Sequence, residues 1–289
     1  MGALRLPNQK TIACDRPVIM GILNVTPDSF SDGGLYTDVD TAVDYAKQMW
    51  ADGADIIDVG GESTRPGSQR VGAAEQIRRV VPIIQRLLQQ IDGVAISVDT
   101  TLGVVAEAAV NAGAAILNDV SAGRDSPEMF RLSAGFGTPL VLTHMLGSPA
   151  TMQQNPSYVD VVAEVTGFLV DRAGVAMAAG VPQEQIIIDP GVGFGKSTQH
   201  NLALLAHLDG LVSTGFPVLL GTSRKRFLGE ICQVGLRDTV ALQKRVGATC
   251  ATTALGVAKG VRLFRVHDVH ANRQAADTAW AIRQAGSGS

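Results

Sequence analysis

Eight short apolar runs recur along this chain, and nearly all of them lead into a polar residue that packing alone does not require. Each stretch between two runs is long enough for one helix, and strands that alternate with helices predict a parallel sheet. Eight such units close into a (β/α)8 barrel, which carries its chemistry at the carboxyl ends of the strands. We therefore predict an α/β fold, a single TIM barrel with polar residues gathered in one mouth. The predicted strands are 19–23, 56–57, 94–98, 115–117, 140–143, 186–188, 218–220 and 263–264.

Apolar residues that recur at i, i+3, i+4 and i+7 predict the helices between these strands. The predicted helices are 38–51, 75–91, 104–112, 129–134, 159–179, 202–208, 239–258 and 272–282. Three connections, 25–37, 62–73 and 147–158, are longer than usual, and long loops at the mouth of a barrel are usually functional. We expect one domain over 1–284, with 285–289 a flexible end or a remnant of cloning.

Composition narrows the range of partners. A net charge of −3 and 4% aromatic residues predict no nucleic-acid partner. No apolar segment approaches the roughly 20 residues that span a bilayer, and the first ten residues lack a signal-peptide core, so we expect no membrane partner. Three widely spaced cysteines fit neither a disulfide framework nor a zinc site. They favour a reducing, cytoplasmic location.

The segment 62–67, which follows two glycines, carries several anion-binding groups. Ser63 and Thr64 offer hydroxyl donors, and Arg65 offers a bidentate fork, so the segment suits a phosphate. A solvated turn is the alternative for this segment taken alone. Its position directly after a predicted strand favours the anion site.

The segment 189–197, DPGVGFGKS, resembles a phosphate-binding P-loop. The match fails because Pro190 stands where that motif requires glycine. Asp189 is better interpreted as a strand-end acceptor for two N–H groups of an amidine-like or guanidine-like ring edge. Capping of the following turn is an equally good interpretation of Asp189 from this segment alone.

Two further segments carry cations at predicted strand ends. The basic run 223–226 follows a strand, so we expect at least one of its cations to point into the mouth. Arg265 and His267 are two residues apart on the last strand, so they share a face and favour an anion site. Asp99, Asn118 and Asp189 at other strand ends suit a heterocycle rich in donors and acceptors.

Taken together, these motifs form an ordered set that covers essentially the whole chain. The set comprises MGILNVTPDSFSDGG at 20–34, DVGGESTRPG at 58–67, SVDT at 97–100, NDV at 118–120, HM at 144–145, MQ at 152–153, DPG at 189–191 with FGK at 194–196, SRK at 223–225 and RVHDV at 265–269. In this order the motifs resemble those of the dihydropteroate synthase family.

The resemblance implies a transferase of folate biosynthesis. Members of that family condense 6-hydroxymethyl-7,8-dihydropterin diphosphate with p-aminobenzoate, which gives 7,8-dihydropteroate and diphosphate. The resemblance also implies Mg²⁺ as the cofactor, sulfonamides as inhibitors and a homodimer as the assembly.

The family's site residues can be carried over position by position. The implied pterin ligands are Asp99, Asn118, Met145, Asp189, Lys225 and Arg265. The implied diphosphate ligands are Asn24, Thr64, Arg65, Arg265 and His267, and Asn24 is also the implied magnesium ligand. The implied p-aminobenzoate pocket consists of Thr64, Arg65, Pro66, Phe194 and Ser223. The implied catalytic residues are Asp99, Lys225 and Arg65.

Two alternative functions use the same fold. A pterin-binding methyltransferase barrel shares the ring recognition, but it needs neither the Thr64–Arg65 loop nor the Arg265–His267 pair. An inactive relative kept as a pterin-binding module should lack at least one of five residues, and all five are present: Asn24, Asp99, Asp189, Lys225 and Arg265.

Overall fold

The main sheet of the protein is a barrel of eight parallel strands. The computed structural model describes residues 3–7, 10–25, 35–63, 68, 70–233 and 241–287. Numbered in chain order after two short N-terminal strands, the barrel strands are β3 (Val18–Asn24), β4 (Ile56–Gly60), β5 (Ala95–Asp99), β6 (Ile116–Asp119), β7 (Leu140–Thr143), β8 (Ile186–Asp189), β9 (Leu219–Leu220) and β10 (Leu263–Val266). Neighbours pair in the order β8–β7–β6–β5–β4–β3–β10–β9, and a parallel bridge between Ile188 and Val218 joins the two ends. The predicted TIM barrel is confirmed.

Helices surround the barrel and cover the outward side chains of its strands. They are α1 (Leu35–Ala51), α2 (Ala73–Gln90), α3 (Gly103–Asn111), α4 (Glu128–Phe136), α5 (Val161–Ala178), α6 (Thr198–Ala206), α7 (Leu208–Val212), α8 (Arg226–Cys232), α9 (Val246–Lys259) and α10 (Val269–Ser287). On α2 the apolar stripe that predicted this helix is buried at Val80, Ile84 and Leu87. In the described part of the chain, no helix is both long and apolar enough to cross a membrane.

The structure corrects two helix predictions and adds one helix that was not predicted. The predicted helix 202–208 is two helices, α6 and α7, because the backbone turns at His207, with φ −112° and ψ 28°. The predicted helix 239–258 begins only at Val246, after a 3-10 turn over Leu242–Arg245, and positions 239 and 240 lie outside the described residues. The short helix α8 directly after the basic run was not predicted.

An unpredicted antiparallel hairpin covers the amino end of the barrel. Its strands are β1 (Ala3–Arg5) and β2 (Thr11–Ala13), which pair through Leu4 and Ile12. Leu4 and Cys14 are fully buried. They cluster with inward side chains from the amino-terminal halves of the barrel strands, among them Met20, Ile56, Ala95, Ile116, Val141, Ile187 and Leu263. The hairpin completes the apolar core at this end, which leaves the opposite, carboxyl end for chemistry.

Candidate active site

Strand periodicity explains which side chains enter the barrel mouth. Met20, Ile56 and Leu263 belong to the inner apolar cluster, so residues two and four positions later on the same strands also face inward. These later positions are polar in most strands. They include Asn24, Asp58, Ser97, Asp99, Asn118, Thr143, Asp189 and Arg265. The barrel interior therefore changes from apolar at the hairpin end to polar at the mouth, as the strand-end residues predicted.

Arg265 is the central cation of this mouth. Its Nε donates to Oδ2 of Asp58 at 2.6 Å, and its Nη2 donates to Oδ2 of Asp99 at 2.6 Å. Only 15% of the Arg265 side chain is exposed, and the two carboxylates are buried. One guanidinium thus bridges strands β4, β5 and β10 and holds Asp99 at the end of its strand.

Burial and charge compete at these groups. Burial raises the pKa of Asp99 to about 7, although the positive charge of Arg265 acts in the opposite direction. Burial alone would lower the pKa of Arg265, but the attraction of Asp58 and Asp99 outweighs it and raises that pKa. The mouth therefore contains a permanently charged cation and a carboxyl group that ionises near neutral pH.

Asp58 is a site residue that the sequence reasoning missed. It is completely buried, and its Oδ2 also accepts a hydrogen bond from Nδ2 of Asn118 at 3.1 Å. This bond fixes the amide of Asn118, so that its oxygen is left for another donor. The available signal was an acidic residue at an inward position of an apolar strand, which is costly unless it is paired.

Asp189 and Lys225 form a second charged group in the mouth. Oδ1 of Asp189 accepts the backbone N–H of Gly191 at 2.7 Å, so the capping interpretation is correct for this oxygen. Oδ2 lies beside Gly221, where an added Cβ would be 3.7 Å away. Burial raises the pKa of Asp189 and lowers that of Lys225 to about 8, while the attraction between the two opposes both shifts.

Three apolar side chains form a small wall beside these charges. Met145, Met152 and Phe194 make up a buried cluster of their own. Nζ of Lys225 lies 3.7 Å from the centroid of the Phe194 ring, which is a cation–π contact. Two predicted pterin ligands and one predicted p-aminobenzoate contact are thus neighbours in the structure.

Ser223 lies against His267. The buried hydroxyl of Ser223 accepts the backbone N–H of His267 at 3.0 Å, and it is also 3.0 Å from Nδ1 of the same ring. If the hydroxyl proton is directed to Nδ1, the ring carries its own proton on Nε2 and can donate from there. Ser223 thus contacts a predicted diphosphate ligand, and the p-aminobenzoate contact that the family resemblance implied for it stays a prediction.

The basic run 223–226 divides its cations among different surroundings. Arg224 adopts a left-handed backbone, with φ 57°, and pairs with Asp268. Arg226 is 85% exposed and pairs with Glu230 on the outer surface. Lys225 is the cation of this run that points into the mouth, as expected for at least one member.

Asn24 ends β3 next to the same group of residues. It is half-buried, and Gly60 lies beside it: an added Cβ on Gly60 would be 3.8 Å from Oδ1 of Asn24 and 3.5 Å from Cβ of Asp99. Among the described residues, no three His, Cys, Asp or Glu side chains are grouped so as to hold a metal ion. A metal at Asn24 would therefore depend on oxygens from water and substrate, which is the usual arrangement for Mg²⁺.

Thr64, Arg65 and Pro66 lie outside the described residues, so their predicted contacts stay predictions. The base of their loop is described. Glu62 accepts the backbone N–H of Val71 and the side-chain amide of Gln76, each at 3.0 Å. Gln76 in turn accepts the hydroxyl of Thr100, the residue after Asp99, at 3.0 Å. A partly buried chain of hydrogen bonds thus connects the base of this loop to the end of β5.

A cavity of about 720 Å³ lies at the opposite end of the barrel, next to the N-terminal hairpin. It is lined by residues such as Leu6, Arg16 and Asp55, and it contains none of the predicted site residues. The convergence of buried charged groups, rather than cavity size, identifies the candidate site.

Known proteins are similar to this chain in sequence and in fold. The profile of the family described as pterin-binding enzymes matches residues 20–267. A dihydropteroate synthase of Streptococcus pyogenes is 49% identical over 255 residues, which cover 88% of this chain and 91% of that protein.

Two solved structures extend the likeness to three dimensions. Dihydropteroate synthase of Xanthomonas albilineans with 4-aminobenzoic acid has a TM-score of 0.89 and 45% identity, and covers 97% of this chain and 98% of its own. The Yersinia pestis dihydropteroate synthase in complex with a sulfonamide drug has a TM-score of 0.89 and 39% identity. The match covers 98% of this chain and 99% of that one. The chain belongs to the dihydropteroate synthase family, whose members are transferases of folate synthesis.

Proposed function

We propose that this protein condenses 6-hydroxymethyl-7,8-dihydropterin diphosphate with p-aminobenzoate to give 7,8-dihydropteroate and diphosphate. The observation that carries the proposal is the convergence of Asp99, Asp189, Lys225 and Arg265 in one barrel mouth. This set supplies acceptors for a nitrogen-rich ring and cations for an anionic leaving group.

The pterin ring is assigned to the innermost part of the mouth. Oδ2 of Asp189 accepts the N–H groups of the amidine edge, and the free oxygen of the Asn118 amide accepts another ring N–H. The ammonium of Lys225 donates to the ring carbonyl. The side chain of Met145 is assigned to one face of the ring. Its backbone carbonyl accepts a hydrogen bond from Nη2 of Arg124 at 2.8 Å, which fixes the position of this residue.

The diphosphate is assigned to the β10 side, where Arg265 and His267 lie. Arg265 keeps its charge at any physiological pH, and the imidazole of His267, whose Nδ1 lies 3.0 Å from the Ser223 hydroxyl, is the second predicted diphosphate ligand on this side. Asn24 is proposed to hold Mg²⁺ together with the diphosphate oxygens. When bound, this ion neutralises negative charge on the leaving group. Thr64 and Arg65 are proposed to complete this site.

The p-aminobenzoate is assigned to the apolar wall at Phe194, with Pro66 and Arg65 of the loop. Ser223 is also proposed to line this pocket, and its hydroxyl contacts His267 of the neighbouring diphosphate side. Sulfonamides that resemble p-aminobenzoate are proposed to compete for the same position, because the Yersinia pestis relative was solved with such a drug.

The reaction breaks the C–O bond between the pterin methylene and the diphosphate. The bonding pair leaves with the diphosphate, and the carboxylate of Asp99 stabilises the positive charge that develops on the electron-rich ring. The lone pair of the arylamine nitrogen forms the new C–N bond, and that nitrogen then loses a proton. Because an arylamine is already nucleophilic, the site needs no strong general base.

A coupled assay for diphosphate release tests the proposal. We expect release only when the pterin diphosphate and p-aminobenzoate are both present, and a sulfonamide should suppress it. Equal release without p-aminobenzoate would identify a hydrolase, and no release with both substrates would overturn the proposal. The implied homodimer and cytoplasmic location stay predictions, and light scattering of the purified protein tests the first.

A further inference from the structure

Lys196 is a buried cation that the proposed reaction does not use. It is 3% exposed, and its ammonium is surrounded by protein acceptors. Nζ lies 2.8 Å from Nδ1 of His144, 3.3 Å from the carbonyl oxygen of His144, 3.1 Å from that of Gly191 and 3.0 Å from that of Phe194. A lysine has donors only, so Nδ1 of His144 must be the acceptor and the ring proton is on Nε2.

The turn after β8 is folded around this ammonium. Gly191 and Gly195 have φ of 63° and 64°, and an added Cβ would lie 1.8 Å from the His144 carbonyl oxygen and 2.6 Å from Leu146, respectively. The backbone N–H of Phe194 donates to the Gly191 carbonyl at 2.9 Å, which closes the turn. Lys196 thus binds the carbonyls of its own turn and of His144, the residue directly after β7, so the glycine-rich motif that resembled a P-loop holds an ammonium rather than a phosphate.

Lys225 packs against the same turn. The Phe194 ring lies under Nζ of Lys225, and an added Cβ on Gly193 would be 3.0 Å from the Cδ of Lys225. Within the turn, Nζ of Lys196 donates to the carbonyl oxygen of Phe194 at 3.0 Å, so it binds the backbone of the residue whose ring contacts Lys225. A shift of this turn would therefore move both the aromatic ring and the backbone surface against which Lys225 packs.

We propose that Lys196 is a positioning residue whose ammonium fixes the 191–194 turn against His144, directly after β7, and thereby positions Lys225 and Phe194 for substrate binding. The chain of contacts runs from the Lys196 ammonium through the Phe194 carbonyl and ring to the Lys225 ammonium. The inference rests on the proposed function, because it takes Lys225 as a pterin ligand. It adds a residue that does not itself touch a substrate.

Burial acts against the charge that this arrangement needs. It lowers the pKa of Lys196 to about 7, an effect that Asp189 opposes and that Lys225 and Arg124 reinforce. Burial and the neighbouring Lys196 and Arg124 also lower the pKa of His144 to about 3, which keeps that ring neutral and able to accept.

The test compares binding of two ligands to the Lys196→Met variant by calorimetry. The probes are 6-hydroxymethylpterin, for the Lys225 side of the mouth, and Mg²⁺ with inorganic diphosphate, for the β10 side. We expect pterin affinity to fall roughly 10- to 100-fold, as is typical when a supporting contact of a binding group is lost, while diphosphate affinity stays unchanged. Lys259→Met is the matched control, since Lys259 pairs with Asp209 on the outer surface, and it should change neither affinity.

Unchanged pterin affinity in folded Lys196→Met would overturn the inference, and so would an equal loss for both ligands, because that pattern indicates a general folding defect. Two further variants apply if Lys196→Met does not fold. Lys196→Ala should regain pterin binding when ethylammonium, but not propanol, is added, and Phe194→Leu should weaken pterin binding with Lys196 intact. Failure of both results would overturn the inference. The proposed function is judged separately, by product formation in the wild type.

Discussion

Nε of Arg265 lies 2.6 Å from Oδ2 of Asp58, and this pair joins the last strand of the barrel to its second. Asp58 is completely buried, so it acts on the mouth only through the groups it holds. Its second oxygen, Oδ1, has no hydrogen-bond partner among the described residues. Asp58 therefore orients Arg265 and Asn118 and compensates part of the buried positive charge.

Replacing Asp58 with asparagine should lower the free energy of unfolding, because it removes the charge that pairs with Arg265 in the mouth. Loss of one partner from a buried ion pair typically costs about 3–5 kcal/mol, and we expect the lower end of this range because Arg265 retains Asp99. Urea denaturation measures the free energy of unfolding. Asp44→Asn, which removes an exposed ion pair with Lys47, is the control and should cost less than about 1 kcal/mol. Equal, small effects for the two variants would contradict the arrangement.

Asp189→Asn should weaken pterin binding. The amide places either its NH₂ group or its oxygen toward the ring N–H groups, so at least one charge-assisted hydrogen bond is lost. The penalty for a buried polar group left without a partner is about 1–3 kcal/mol, or roughly a 5- to 150-fold loss of affinity. Calorimetry with a pterin ligand measures it. If the variant binds as tightly as the wild type, Asp189 does not contact the ring.

Lys225→Ala and Arg226→Ala should have opposite consequences, although the residues are adjacent. Lys225 is packed against Phe194 inside the mouth, whereas Arg226 is exposed on the outer surface. We expect Lys225→Ala to abolish turnover and Arg226→Ala to retain nearly all of it. The reverse ranking in a steady-state assay would mean that the mouth faces the other side of this segment.

Strand-end reasoning located Asp99, Asn118, Asp189 and Arg265, because inward direction follows from alternation and from the ends of apolar runs. Asp58 directly follows the predicted strand 56–57, but it was overlooked because the sequence does not show which partner it would bind. The role of Asp58 in the site depends on its ion pair with Arg265. That residue is 207 positions away in the chain, and only the folded barrel brings the two together.

Lys196 and the hairpin show a second limit of sequence reasoning. The sequence around Lys196 resembles a phosphate-binding loop, although the motif fails at Pro190, and it gives no sign of the partners of Lys196. Only the fold places His144 and three carbonyl oxygens around the ammonium. The hairpin strands have three residues each, too few for a period to be recognised, and they are stabilised by burial of Leu4 against the amino end of the barrel.

Activity should rise with pH through neutrality. The pKa of Asp99 is raised to about 7, mainly by burial, so this group is neutral in acid and becomes a carboxylate as the pH increases. Because the carboxylate stabilises positive charge on the ring, kcat/KM for the pterin diphosphate should increase with a midpoint near 7. Asp99→Asn should be much less active and should lose this rise. A wild-type profile that is flat between pH 5 and 8 would contradict the assignment.

Mg²⁺ should bind weakly to the free protein and well in the presence of diphosphate. Asn24 offers one amide oxygen, and no acidic or histidine cluster among the described residues assists it. The coupling should be reciprocal, and a typical value of 1–3 kcal/mol corresponds to a roughly 5- to 150-fold gain in diphosphate affinity when Mg²⁺ is present. Chelation of Mg²⁺ should reverse the gain, and Asn24→Ala should remove it. Tight binding of Mg²⁺ without diphosphate would contradict this arrangement.

The most direct test of the proposed reaction is mass spectrometry of the products formed from 6-hydroxymethyl-7,8-dihydropterin diphosphate and p-aminobenzoate. We expect the wild-type protein to produce 7,8-dihydropteroate and diphosphate in equal amounts, and Lys225→Ala to produce neither. Formation of free 6-hydroxymethyl-7,8-dihydropterin and diphosphate without 7,8-dihydropteroate would contradict the account, because water rather than the arylamine would then be the nucleophile in this mouth.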